Sequence, residues 1–344
     1  MKANIRTISE MTGFSTATVS NALNNKRGVN RETAEKILKA AREIGYLEGP
    51  EVRRVKLVTY IENGSIVNES PFFSLLISGV ESECRRLGID VVSCHLHRED
   101  PNYDGYMGEL LGDPSSALLV LATEMDEKEA AKLQAAAAPV VILDSWYEDL
   151  PFNAVLIDNA DAAYKAVSHL IEMGHTRIGH LRGRFQIKNF YYRRQGYLRA
   201  MAEHGLTVDP ACTLTLSTGM ETSRADMAAL LEKGPKMPTA FFADNDMIAL
   251  GAMRALQQAG YKVPGDVSLV GFDDLPFCAI SDPPLTTVKV HNYEMGIAAV
   301  RRLSELTSRG GEYSTKTQVT STFVHRSSVL DLGKNKSHTG GIQL

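Results

Sequence analysis

The sequence predicts two unlike parts: a small all-helical domain over residues 1–46, and a much larger α/β domain over residues 56–330, built on parallel sheets and divided into two lobes. Three observations lead there. Apolar residues recur at helical spacing in the first 46 residues. From Lys56 onward, β-branched apolar runs alternate with amphipathic helical segments. Those runs are too many for one sheet around one core in a chain of 344 residues. With 44% hydrophobic and 23% charged residues the chain has the balance of a folded protein, not a disordered one. A polar tail is expected over residues 331–344.

In chain order, Ile5, Ile8 and Met11 mark a first helix, which Gly13 breaks. Ser15 offers a hydroxyl to cap a second helix over residues 16–23. Asn24, Asn25 and Gly28 form a loop, and Asn30 precedes a third helix with an inner face of Ala34, Ile37, Leu38, Ala41 and Ile44. Gly45 is expected to close it in the left-handed conformation. Residues 47–55 follow as a linker whose Gly49-Pro50 break makes it too short and interrupted for an independent helix. Strands are expected at residues 57–61, 89–93, 117–121, 140–143, 154–157, 178–181, 240–243 and 267–270. The second lobe should begin near Asp158, with the chain crossing back between Pro284 and Val290. Ligands bind such sheets outside the carboxyl ends of the strands, and the strand reading alone puts Asp144, Asn245 and Asp273 there.

Charge is unevenly distributed. Net charge is −4, yet Met1 to Lys56 carries 11 Lys and Arg against 6 Glu. A basic head on an acidic body points to a polyanionic partner for the head, although a solvated charged surface explains charge alone equally well. Cys84, Cys94, Cys212 and Cys278 form no CxxC pair, which fits free thiols in a reducing compartment. No apolar signal core opens the chain and no run approaches a membrane span, so a cytoplasmic location with no membrane partner is expected.

Three short helices could be any small helical domain, and the residues decide. The run from Ile5 to Asn24 (IRTISEMTGFSTATVSNALN), with Val29 to Thr33 and Ile44 to Tyr46, resembles the headpiece of the lactose/galactose repressor family (LacI/GalR). The resemblance implies a helix-turn-helix that binds double-stranded operator DNA as a homodimer, with contacts near residues 72–86 and 246–258. Thr16, Ala17 and Asn21 occupy the family's base-reading positions. Ser20 shares the exposed side of the second helix, where hydroxyls and amides can reach base edges in a major groove. Asn21 stands where many members carry Arg, so an adenine contact becomes plausible there. Asn24 belongs to the same DNA-facing set, while Lys26, Arg27 and Arg31 are assigned to phosphates, which position without specifying. The family's usual hinge helix, with its apolar minor-groove wedge, has no counterpart in the linker. Val52 is a lesser candidate wedge, and a plain tether is the preferred reading.

The larger domain resembles the same family over essentially its whole length, through residues 169–178, 193–197, 245–251, 270–274 and 284–287. This implies a periplasmic-binding-protein-like domain with an effector cleft between its lobes. By resemblance Asp144, Arg193, Asn245 and Asp273 match effector-binding positions, and Phe72 and Phe73 an apolar wall. Carboxylates accept from paired hydroxyls and Arg donates a fork, which suits a sugar. Each Asp could instead cap a turn or helix. Met220 sits near the place of a stacking aromatic in other members, Val290 stands where some have Gln, and Trp146 is a candidate substitute aromatic face.

No nucleophile, acid/base pair or metal constellation is present, and His95 and His97 lack a third ligand. With no GxGxxG after a first strand and no GxxxxGK[ST], neither an enzyme nor a cofactor is expected. The competing readings are a carbohydrate-binding protein without DNA function and a regulator responding to a nucleoside or purine.

Overall fold

Local chemistry starts and stops the first helices of the computed structural model, which describes residues 4–24, 29–44, 46, 54–309 and 313–335. They are α1 (Ile5–Thr12), α2 (Thr16–Leu23) and α3 (Arg31–Glu43). Asn4 Oδ1 accepts from Thr7 N at 3.0 Å and Ser15 Oγ from Thr18 N at 3.1 Å, while Asn30 Oδ1 accepts from Thr33 N at 2.8 Å. Each bond satisfies an otherwise orphaned helix donor. Gly13, at φ 73, ends α1. Ile8, Val19, Ile37 and Ala41 are fully buried and hold the three helices together. Met11 departs from the expected inner face and is 50% exposed. Two successive steps of three residues carry it about 120° around the helix from Ile5, away from the core. In α3, Ala40 joins the core, and Leu38 is only half-buried. The cap expected at Gly45 lies outside the described residues.

The first lobe runs β1 (Arg54–Ile61), α4 (Phe72–Leu87), β2 (Asp90–His97), α5 (Tyr103–Gly112), β3 (Ser116–Leu121), α6 (Glu127–Lys132), β4 (Val140–Leu143) and β5 (Asn153–Ile157). The second runs α7 (Asn159–Glu172), β6 (Ile178–Gly183), α8 (Lys188–Glu203), β7 (Thr213–Leu216), α9 (Met220–Leu231), β8 (Ala240–Ala243), α10 (Asp246–Gln258), β9 (Ser268–Val270) and α11 (Phe277–Ile280). The chain then continues through β10 (Thr287–Lys289), α12 (Asn292–Arg309), β11 (Lys316–Val319), β12 (Thr322–Val324) and α13 (Leu332–Asn335).

Two parallel sheets result, ordered β11-β5-β4-β3-β1-β2 and β7-β6-β8-β9. In β3, Leu119 and Leu121 enter one buried cluster while Leu118 and Val120 enter the other. Both faces are covered, which is why such strands read as unbroken apolar runs. β1 begins at Arg54, so the last two residues of the expected linker belong to the first sheet, and residues 47–53, with the tether and Val52, lie outside the described residues. β2 runs four residues beyond its expected end, because an edge strand needs only one apolar face and its His95 and His97 stay exposed.

Two crossings between the lobes fall where expected, after Ile157 and near Val290. A third was not expected: β11 adds to the first sheet, and the chain then returns through β12. Asp158 ties two of these crossings together, donating from its N to Val319 O at 3.3 Å and accepting at Oδ1 from Ser321 N at 2.9 Å. The expected tail also starts later than residue 331, since Leu332 N donates to Met173 O at 2.8 Å on the second lobe. Residues 336–344 of that tail lie outside the described residues.

Candidate functional sites: a DNA-facing helix and an interlobe cleft

On α2 the buried Val19 and Ala22 fix which side faces out. Thr16 and Ala17 are exposed and Ser20 and Asn21 half-buried, so the expected base-reading set shares one accessible surface. Asn24 is exposed, but its Nδ2 donates to Ser20 O at 2.8 Å and so helps end its own helix. Lys26 and Arg27 lie outside the described residues, and Arg31 is described only as the first residue of α3.

The cleft is built from strand ends of both lobes. Asp144 follows β4, Asn245 follows β8 and Asp273 follows β9, as the position of ligands at carboxyl ends requires. Phe72 and Phe73 from the start of α4, with Ile66 and Ile157, form the apolar side on the first lobe, and Arg193, Asn189 and Phe190 come from α8. The free space among them is about 20 Å³, room for roughly one water, so a larger molecule enters only when the lobes part.

Arg193 organises the polar side. Its Nε donates to Asn159 Oδ1 at 2.8 Å, Nη1 donates to the Asp244 carbonyl, and Nη2 pairs with Asp273 Oδ1 at 3.2 Å. The guanidinium lies 3.7 Å from the Phe272 ring centroid, which fixes its plane. Asp144 accepts from Thr123 Oγ1 at 2.6 Å and from Asn189 Nδ2 at 3.0 Å. Burial pushes its carboxyl up to about 6, against the opposing pull of these bonds and of Arg193. Burial also raises Asp273, with Arg193 the main opposing influence.

The capping alternative is decided residue by residue. Asn245 is the cap: it opens α10 and accepts from Ile248 N at 2.9 Å, leaving its Nδ2 as the donor for a ligand. Asp144 and Asp273 cap no helix. They sit at φ 62 and φ 120, left-handed conformations that cost about 1–3 kcal/mol each.

Two expected effector residues do not line this cleft. Met220 begins α9 and faces a separate groove with Leu250, Met253, Phe277 and Ile280. Trp146 stacks instead on Tyr192 of α8, ring centroids 4.4 Å apart, with Lys188 Nζ 5.4 Å from its ring. Val290 is buried in the crossing segment, where its N donates to Asp273 O at 3.4 Å. Sequence reasoning missed Thr123, Asn159, Asn189 and Phe190. The last two lie four and three residues before Arg193, and that helical spacing was a usable signal.

A helix-turn-helix headpiece joined to a two-lobed domain with an interlobe cleft defines an effector-responsive, DNA-binding transcription regulator. Residues 4–48 match the model of bacterial regulatory proteins of the lacI family, and residues 167–329 match the periplasmic binding protein-like domain. The chain belongs to the lacI family. It is 32% identical to the HTH-type transcriptional repressor PurR of Aliivibrio salmonicida over 88% of this chain and 92% of that one. It is 33% identical to the repressor CytR of Escherichia coli K12, over 87% of this chain and 88% of that one. Among solved structures, the regulator CelR in complex with cellobiose has a TM-score of 0.73 at 26% identity, covering 94% of this chain and 99% of CelR. Among the described residues no helix is long and apolar enough to cross a membrane.

Proposed function

We propose that the protein is a cytoplasmic repressor that binds operator DNA as a homodimer and changes its operator affinity when a small hydroxylated effector, a sugar or sugar derivative, occupies the interlobe cleft. It acts by binding alone. Thr16, Ala17, Ser20 and Asn21 read base edges. Arg31, with Lys26 and Arg27, holds phosphates. One short recognition helix per headpiece reads only a half-site, which makes two copies the working unit.

The observation that carries the effector reading is the pair of buried carboxylates, Asp144 and Asp273, brought to one cleft from opposite lobes with Arg193 between them. Carboxylates accept from hydroxyls, and a ligand that donates to both joins the lobes. The cellobiose complex of CelR supports a carbohydrate. A second reading, a nucleoside, rests on the apolar side formed by Phe72, Phe73 and Phe190, which offers faces for a flat base beside the carboxylates that would take its ribose.

A thermal-shift panel of glucose, ribose, cellobiose, cytidine, adenosine and hypoxanthine tests this. A ligand at 100 times its Kd adds about 2.7 kcal/mol of stability. The active compound should then change operator affinity in a salt-controlled binding assay. Stabilisation only by hypoxanthine, which has no sugar, would count against the hydroxyl-binding assignment.

A further inference from the structure

Between β1 and α4, residues 62–71 form a loop folded around one carboxylate. Glu124 is 6% exposed, and its Oε2 accepts from the N–H groups of Glu62, Asn63 and Gly64 at 3.0, 3.2 and 3.1 Å. Its Oε1 accepts from Ile66 and Val67 at 2.9 and 3.0 Å. Converging backbone N–H groups make a concavity that favours a negative charge, and here the chain supplies its own. The preceding residue, Thr123, donates to Asp144, so one dipeptide after β3 orients both an effector carboxylate and this loop.

The loop reaches across to the second lobe at two points. Ser65 O accepts from Thr218 Oγ1 at 2.7 Å, and Thr218 is 6% exposed. The Glu69 carboxylate lies against Gly219, so close that a methyl group at Gly219 would overlap it. Gly219 precedes α9, a helix of 12 residues with no side-chain cap of its own. A carboxylate at that end of a helix is favoured by the helix dipole. The same loop contributes Ile66 and Ser70 to the cleft and runs directly into α4.

We propose that the loop held by Glu124 is an interlobe latch, which keeps the lobes closed through the bond from Thr218 to Ser65 and the seating of Glu69 on the start of α9. Thr218 and Glu69 do not take part in effector recognition. They act on the closing equilibrium, and Glu124 acts through them as a positioning residue. Because the latch leads into α4, opening it moves the element next to the cleft that also faces outward.

The full-length protein carries one tryptophan, Trp146, stacked on Tyr192 of the other lobe, so its accessibility to acrylamide reports the opening of the lobes without any ligand. Thr218→Val keeps the shape and removes the donor, and it should shift the open-to-closed ratio about fivefold towards open, seen as stronger quenching of Trp146. Thr218→Ser should restore the original quenching. Glu69→Gln should shift it in the same direction by a smaller factor. Thr218→Val does not disturb the Glu124 nest, so it remains decisive even where Glu124→Gln fails to fold. A purely structural role would lower the thermal midpoint without changing quenching. Trp146 quenching equal to that of the original protein in Thr218→Val would overturn the latch.

Discussion

Asp144 concentrates most of what can be measured at the scale of single residues. Its folded value, about 6, lies above the ordinary 3.8. Between those values the folded protein holds more of the proton than the unfolded chain does. Stability therefore falls as pH rises from about 4 to about 6, and the cost persists above that. An effector hydroxyl that donates to the ionised carboxylate competes with the proton. Effector affinity should then fall by up to about tenfold per pH unit as pH drops below 6. Calorimetric titrations from pH 5 to pH 8 should show this, and Asp144→Asn should bind weakly with the pH dependence gone. A flat profile in the original protein would remove Asp144 from the contact set. On α2, Asn21→Ala should cost about 1–3 kcal/mol on the cognate operator and little on random DNA. Equal losses on both would assign Asn21 to the backbone. The chemistry-bearing residues at strand ends were legible because position and residue type coincide there. Asn159 was not, because only the packing of α7 on α8 brings it to Arg193.

Elements were legible in proportion to how much of their pattern is local. β3, β4 and β8 are buried on both faces and appear as unbroken apolar runs. β7, β10 and β12 went unread, being three or four residues long, with Thr or Lys in the pattern. Their strand state depends on a partner already in place. Helix packing holds similar constraints. At the crossing of α4 and α12, a Cβ on Gly296 would meet the Leu76 carbonyl, with Val80 N at 2.8 Å, and one on Gly79 would meet the Tyr293 carbonyl. Gly296→Ala should therefore separate the helices and cost about 1–3 kcal/mol, despite its better helix propensity. Urea unfolding measures this, and an unchanged or raised midpoint would mean that the crossing relaxes freely.

For the whole molecule, the surface left exposed matters as much as the core. Leu250 and Met253 on α10 line a groove of about 320 Å³ with Phe277 and Ile280 of α11, and Ile280 is 81% exposed. Leu75 on α4 is 53% exposed. Both helices are ones the family resemblance assigns to the contact between copies, and a second copy is the partner that a half-site headpiece requires. Ile280→Glu should shift the protein towards monomer in sedimentation at micromolar concentration and weaken binding to a two-half-site operator. Its affinity for a single half-site should be unaffected. A variant that remains dimeric would move the interface elsewhere.

The sequence by itself determined the helical head, the parallel α/β body, the regulator family and four polar members of the cleft. Each of these is written in local periodicity, in capping chemistry or in residue type at a strand end. Only the tertiary structure decided that Asn245 is the cap while Asp144 and Asp273 are not, since a cap is defined by where a side chain points. It also turned Met220 towards a different groove, paired Trp146 with Tyr192, returned the chain between the lobes a third time and wrapped a loop around Glu124. Those outcomes depend on contacts between residues far apart in the chain, such as Glu124 with Ile66 and Thr218 with Ser65. Such contacts leave no periodic trace in the sequence, because their two halves are set by different elements and meet only when the elements pack.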